Sequence, residues 1–172
     1  MSALYHGKRD WRSDPPSVPS RQDASLLLDR PAYQRDTRRA MSQENVEIVR
    51  RVFDAFNGRD IAAFLELLDP DVEWVPILAV LEGRVYRGHE EIRGWIKDLA
   101  TDWEFFEVDY EELRDFGDRV LVSGHWHARG RASGVELENP GTYLYEIRGG
   151  KVVSMRTFTD RAEALEAAGL SE

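Results

Sequence analysis

The chain has 172 residues, 23 of them basic and 32 acidic, with a formal net charge of −9 and no cysteine. That is the length of one ordinary domain. The missing cysteines exclude a disulfide framework, thiolate catalysis and a cysteine-ligated zinc site. No apolar run approaches the ~20 residues of a membrane span. The charge is uneven: residues 1–40 carry eight Lys/Arg against five Asp, a net +3, which leaves −12 for 41–172. So acidic a body repels phosphate backbones, which argues against nucleic acid as a partner. A soluble cytoplasmic domain is the expectation.

Residues 1–40 hold four of the seven prolines and one of the thirteen glycines. Their apolar residues are scattered except for Leu26-Leu27-Leu28, too few for the core of a secretory signal. The segment reads as a disordered arm, or as an extension upstream of a start at Met41; if ordered, it packs on a neighbouring subunit. Residues 41–172 read as a single domain.

From Ser42, an N-cap candidate, the spacing of Val46, Val49, Val52, Phe53 and Phe56 predicts a helix over 43–57 that Asn57-Gly58 ends. Asp60 caps a shorter helix with Ile61, Phe64, Leu65 and Leu68 inward, closed by Pro70. Val72 to Pro76 is a short strand. A loop through Gly83 and Gly88 leads to a helix over 89–100 carrying Ile92, Trp95, Ile96 and Leu99. Strands follow: Phe105–Phe116, then Val120 to Arg129, then Gly141–Arg148. Gly149-Gly150 makes a tight turn into Lys151–Thr159, and Arg161–Ala168 is a terminal helix. Three helices followed by a long meander give an α+β layout, a curved antiparallel or mixed sheet wrapped around the helices.

The strings Asp54-Ala55-Phe56-Asn57-Gly58-Arg59-Asp60 and Asp69-Pro70-Asp71-Val72-Glu73-Trp74 carry a resemblance, as do Tyr86–Ile92, Gly117–Val120 and Gly149–Val153. The body resembles the SnoaL-like and ketosteroid-isomerase-like branch of the nuclear transport factor 2-like superfamily, over about residues 42–168. The resemblance implies a conical barrel with a hydrophobic pocket at its wide end and a homodimer through the outer sheet face. Leu121 and Leu144, outward on their strands, point to the same dimer. It also implies positions for isomerase chemistry. Val75 stands where those members keep their Asp base, and Val52 where they keep a tyrosine. Tyr143 is the counterpart of their protonated Asp, with Thr142 the alternative one residue away. With the base missing, ketosteroid isomerisation is disfavoured.

What remains is a candidate pair. Tyr143 is the proton donor. Glu73 is the best remaining base if the superfamily's register turns it inward, whereas burial of Val72 and Trp74 turns it outward. The residues expected around a ligand are Phe53, Trp74, Tyr86, Trp95, Trp126, Tyr145, Met155 and Phe158, a mostly apolar lining with a few polar handles. The partner implied is a small hydrophobic molecule. No metal or organic cofactor is called for. Two functions follow: a cofactor-independent isomerase, cyclase or hydrolase working by acid–base catalysis, or a non-catalytic ligand-binding or dimerisation module.

Other chemistry-bearing residues have plainer readings. His125 and His127 share a strand face with Ser123 and Arg129, opposite the buried Val120, Val122, Gly124 and Trp126. Surface or interface is their default; metal ligation needs a third ligand. His89 caps the third helix or lines the pocket mouth. Glu107, Asp109 and Glu111 face outward, unless a bulge near Glu111-Glu112 turns one inward. Arg148-Gly149-Gly150-Lys151 is a hairpin with no following helix, so it is not a phosphate loop.

Overall fold

A computed structural model describes the backbone of residues 30–169 and the side chains of 39–169 apart from Met41. Asp36–Glu172 forms one compact unit; the greater part of the expected arm, residues 1–29, lies outside the described residues. In chain order the elements are α1 (Arg30–Asn57), α2 (Ile61–Glu66), β1 (Leu68–Val75), α3 (Ile77–Glu82), β2 (Tyr86–Arg87) and α4 (Gly88–Asp102). Then come β3 (Trp103–Asp115), β4 (Arg119–Gly130), β5 (Glu136–Arg148), β6 (Lys151–Phe158) and α5 (Arg161–Ala167). The six strands form one sheet in the order β2-β1-β6-β5-β4-β3. All neighbours are antiparallel except β1 and β6. The expected α+β layout of helices on a curved mixed sheet is therefore present.

Four elements differ from the pattern expected. Helix α1 starts at Arg30, well before Ser42. No glycine or proline interrupts 32–57, and seven of the ten residues 32–41 are Ala, Gln, Arg or Met, so propensity carries the helix through the anticipated cap. Pro31 sits in its first turn, where a missing N–H costs nothing. The segment 77–82 is a helix rather than loop; Pro76 precedes it and Gly83, at φ 64°, ends it. Leu68 belongs to β1, because α2 already stops at Glu66. Strand β5 starts at Glu136, five residues before Gly141, pairing Arg129 with Glu136 and His125 with Pro140. Its partner β6 ends opposite Thr142, so Pro140 lies on a free edge where its missing N–H breaks no ladder bond.

Packing is two-sided. Helices α1, α2 and α4 cover the inner face through Val49, Val52, Phe53, Phe64, Ile92 and Trp95, which meet Val120, Val122, Tyr143 and Tyr145 from the sheet. On the outer face α5 covers Leu121 and Leu144 with Ala164 and Ala168, flanked by Phe116 and Phe158. The apolar outward residues that suggested a dimer surface are thus already buried within the chain, at 2% and 6% exposure.

Curvature has a local cause. The β3–β4 register slips between Tyr110 and Glu112, and Gly124 faces this bulge. A Cβ on Gly124 would stand 2.8 Å from the Tyr110 Cα and overlap the Asp109 carbonyl. Only glycine lets the strands approach so closely as the sheet bends over α1. The helix itself is fastened at two points. Asn45 Nδ2 donates to the Gly117 carbonyl at 2.7 Å. Asn57 Nδ2 donates to the Val108 carbonyl at 2.8 Å while its Oδ1 accepts from the Val108 N–H at 3.0 Å.

Because Leu121 is buried beneath α5, Leu121→Ala is expected to cost about 2–4 kcal/mol in urea denaturation. A loss below about 0.5 kcal/mol, the value for an exposed position, would contradict this packing.

Candidate functional site

The inner face between α1, α2, α4 and the sheet is built from rings. Alternation on β5 turns Tyr143 and Tyr145 inward, and on β1 it turns Val72 and Trp74 inward. Helix α1 presents Phe53 edge-on to Tyr143 at 6.0 Å between ring centres and to Tyr110 at 5.3 Å. Phe56 stacks on Trp95 at 5.7 Å. Phe64, from α2, meets Trp74 edge-on at 5.3 Å. Such edge-to-face contacts fix ring orientation but cannot fill space as methyl groups do. They leave a cavity of about 40 Å³ lined by Phe53, Phe64, Trp74, Trp95, Tyr143 and Tyr145, with Met155 and Thr157 from β6. That volume is room for about three water molecules. A second cavity, of about 160 Å³, adjoins it through the shared rings of Phe56, Phe64 and Phe106 and reaches the surface beside Arg59, Ile61 and Arg131.

Three buried ring donors have no hydrogen bond among the described residues: Trp74 Nε1 and Tyr143 Oη, on residues that line the inner cavity, and Trp126 Nε1, which lies behind Phe106. An unpaired buried polar group costs about 1–3 kcal/mol. Tyr143 reaches back over Gly141, whose missing side chain leaves the space its hydroxyl occupies. Burial pushes the Tyr143 hydroxyl far above the ordinary tyrosine value. Tyr145 is raised as well, first by burial and then by its neighbour Tyr143. Both phenols therefore stay protonated as donors at neutral pH.

The structure assembles much of the expected lining. Phe53, Trp74, Trp95, Tyr145 and Met155 surround the cavity together with Tyr143. Three other expected residues lie elsewhere. Tyr86 is buried behind Trp95, 6.1 Å between ring centres, and Trp126 stacks behind Phe106 at 5.6 Å. Phe158 is on the opposite face, under α5. The period of two decides this last case, since inward Met155 and Thr157 leave Phe158 outward.

Glu73 also corrects an expectation. Inward Val72 and Trp74 turn it to the outer face, where it is exposed and its Oε1 stands 3.3 Å from Arg87 Nε on the paired strand. It cannot act as a base inside the cavity. Among the described residues the buried polar or charged side chains are Asn45 and Thr157, so no carboxylate or imidazole joins the tyrosines.

The histidines follow their strand faces. His125 pairs with Glu111 at 3.4 Å, and His127 with Asp109 at 3.3 Å and Glu138 at 3.8 Å, all on the outer face. Among the described residues no three His, Asp or Glu side chains converge as a metal site would require. His89 neither caps α4 nor lines the cavity; its Nε2 lies 3.1 Å from the Leu68 carbonyl, and Glu91 takes the Arg87 N–H instead. The bulge in β3 is present but leaves Glu111 exposed and Glu112 bonded to Arg114 and Arg161.

Several lining residues escaped the sequence-based set: Phe56, Phe64, Ile77, Phe106 and Thr157. Phe56 and Phe64 are legible as inward helix positions, yet nothing local separates a cavity wall from ordinary core. Ile77 belongs to the unforeseen α3.

A curved mixed sheet closing over helices around a ring-lined cavity is the nuclear transport factor 2-like fold. The chain belongs to the SnoaL-like domain family, whose model matches residues 49–155. Among similar solved structures is a nuclear transport factor 2-like protein from Burkholderia xenovorans. It is 30% identical, covers 74% of this chain and 96% of its own, and has a TM-score of 0.57. A protein of unknown function from Burkholderia pseudomallei with the same fold is 25% identical, covering 72% of this chain and 95% of its own at a TM-score of 0.61. TerC, co-crystallised with polyporic acid, is 26% identical, covering 73% of this chain and 98% of its own at a TM-score of 0.61. No curated protein sequence matches.

The raised tyrosines make a pH prediction. The folded phenols bind a proton that the unfolded chain releases above the ordinary value of 10.0. Their contribution to stability is whole below that pH and is lost as pH rises beyond it. Ultraviolet titration should therefore find phenols that ionise only on unfolding, and Tyr143→Phe should flatten the alkaline fall in Tm. Parallel curves for variant and parent would contradict the burial of this hydroxyl.

Proposed function

We propose that this protein binds a small, flat, apolar molecule bearing a hydrogen-bond acceptor, its body in the outer cavity of about 160 Å³ and its acceptor reaching the Trp74 N–H and the Tyr143 hydroxyl of the inner one. The observation that carries this reading is the pair of unpartnered buried donors in an otherwise apolar lining. Pockets of that composition take their affinity from rings and their orientation from a few polar groups. The co-crystallisation of TerC with polyporic acid supports the choice of a small organic ligand.

The chemistry open to such a site is limited. Proton abstraction needs a base within hydrogen-bond reach, and the phenols, held protonated by burial, do not supply one. A protonated phenol in a dry pocket can instead polarise a carbonyl or stabilise developing negative charge. The function favoured is thus ligand binding. Any turnover would draw on Tyr143 as donor, with proton abstraction left to a group outside the cavity.

The test is a tryptophan-fluorescence titration with aromatic ketones and quinones. Trp74→Phe and Tyr143→Phe each keep a ring and lose a donor, so each should weaken binding about tenfold, while Tyr86→Phe should leave it unchanged. Equal affinity across all three variants, or no saturable binding by the parent, would overturn the proposal.

A further inference from the structure

The outer cavity has a charge pattern that the inner one lacks. Its lining is Ala55, Phe56, Ile61, Phe64, Ile96 and other apolar residues, interrupted only by Arg59 and Arg131, with no acidic side chain. In a chain with 32 acidic residues against 23 basic ones, two guanidinium groups and no carboxylate at one apolar mouth is a departure from the surface average. Among the described residues no carboxylate lies within 4.0 Å of either group, although seven other arginine–carboxylate pairs form.

Both arginines are held at the rim by backbone. Arg131 Nε donates to the Thr101 carbonyl at 3.2 Å, and its Nη2 donates to Ala100 at 3.0 Å and Trp103 at 2.9 Å, at the end of α4. Those three bonds fix the plane of the guanidinium and leave both Nη1 hydrogens unused among the described residues. Arg59 Nη2 donates to the Glu104 carbonyl at 3.3 Å, and its other donors remain available.

Arg59 adds an independent observation. It occupies the left-handed region at φ 56°, the only described residue other than glycine to do so. It sits at the turn that ends α1, beside Gly58. Glycine adopts that conformation without penalty, whereas a long side chain pays for it in strain. Backbone strain retained at the edge of a cavity is a pointer to function.

From these features, and resting on the binding reading above, we infer that the ligand is an anion: an aromatic carboxylate whose apolar body enters past Phe56, Phe64 and Phe106 and whose carboxylate stays at the mouth between Arg59 and Arg131. Planar guanidinium groups with fixed orientation match a carboxylate better than a neutral polar group. Their exposure keeps the desolvation cost of the anion low and makes the attraction salt-sensitive.

The experiment compares 4-acetylbenzoate with its methyl ester, which share one apolar body and a ketone acceptor at its far end, by isothermal titration on the full chain. The acid should bind about tenfold more tightly than the ester, and the preference should shrink as salt is raised. Arg59→Gln should abolish most of that preference while leaving the ester's affinity unchanged. Arg59→Gly should do the same and also raise Tm, because it relieves the left-handed strain. Arg131→Gln is the weaker test, since it also uncaps α4, and Arg59 therefore carries the decision. Binding of acid and ester with equal affinity, or an undiminished preference in both Arg59 variants, would overturn the inference and leave the cavity reading standing. Binding of neither compound would overturn both.

Discussion

The position of α1 on the sheet turns on one amide. Asn57 offers both a donor and an acceptor to the backbone of Val108, in the middle of the edge strand β3. An edge strand has peptide groups with no ladder partner, and these must find one if they are covered. Here the end of a helix supplies it. That clamp, with Asn45 bound to the Gly117 carbonyl one end of the strand away, sets the distance between helix and sheet. Everything in the cavity depends on that distance, because Phe53 and Phe56 lie one turn or less from Asn57 and face Val108 and Phe106 across the gap.

With the helix fixed, the sheet has to curve to close over it, and the bulge at Tyr110–Glu112 facing Gly124 permits that. The space enclosed is then filled with rings instead of aliphatic side chains. Rings packed edge to face hold one another at 5–6 Å between centres and leave gaps that a Leu/Val core would close. The same closure buries Trp74 Nε1 and Tyr143 Oη without partners among the described residues. Each such donor costs stability, and Trp126 Nε1 shares that state away from the cavity. Burial also keeps the phenols protonated, so they are donors and not bases.

Much of this was legible in the sequence, for a physical reason. Side-chain period follows directly from backbone geometry, so the inward faces of α1, β4 and β5 could be read from Val49, Val52 and Phe53, from Val120 and Val122, and from Tyr143 and Tyr145. The same period, applied strictly, also decides the positions that the superfamily resemblance obscured. Trp74 inward forces Glu73 outward, and Met155 inward forces Phe158 outward. What stayed hidden depends on partners far along the chain. Nothing near Asn57 tells that its amide bonds to residue 108 instead of merely ending a helix, and nothing near Leu121 tells that α5 returns to cover it. The extension of β5 to Glu136 is equally invisible, since Asn139 and Pro140 argue against a strand until its free edge is known. Arg59 was hidden for another reason: Gly58 beside it is the residue that composition nominates for the left-handed turn, yet the turn falls one position later.

The central claim is that a ligand in the aromatic cavity takes the Trp74 N–H. The most direct measurement is the indole N–H correlation spectrum of the nitrogen-15 labelled protein, with Trp74 assigned from Trp74→Phe, recorded during titration with a small aromatic ketone. The Trp74 indole proton is expected to move downfield and to become protected from exchange as the site fills. A Trp74 signal that stays in place while the ligand demonstrably binds would contradict it.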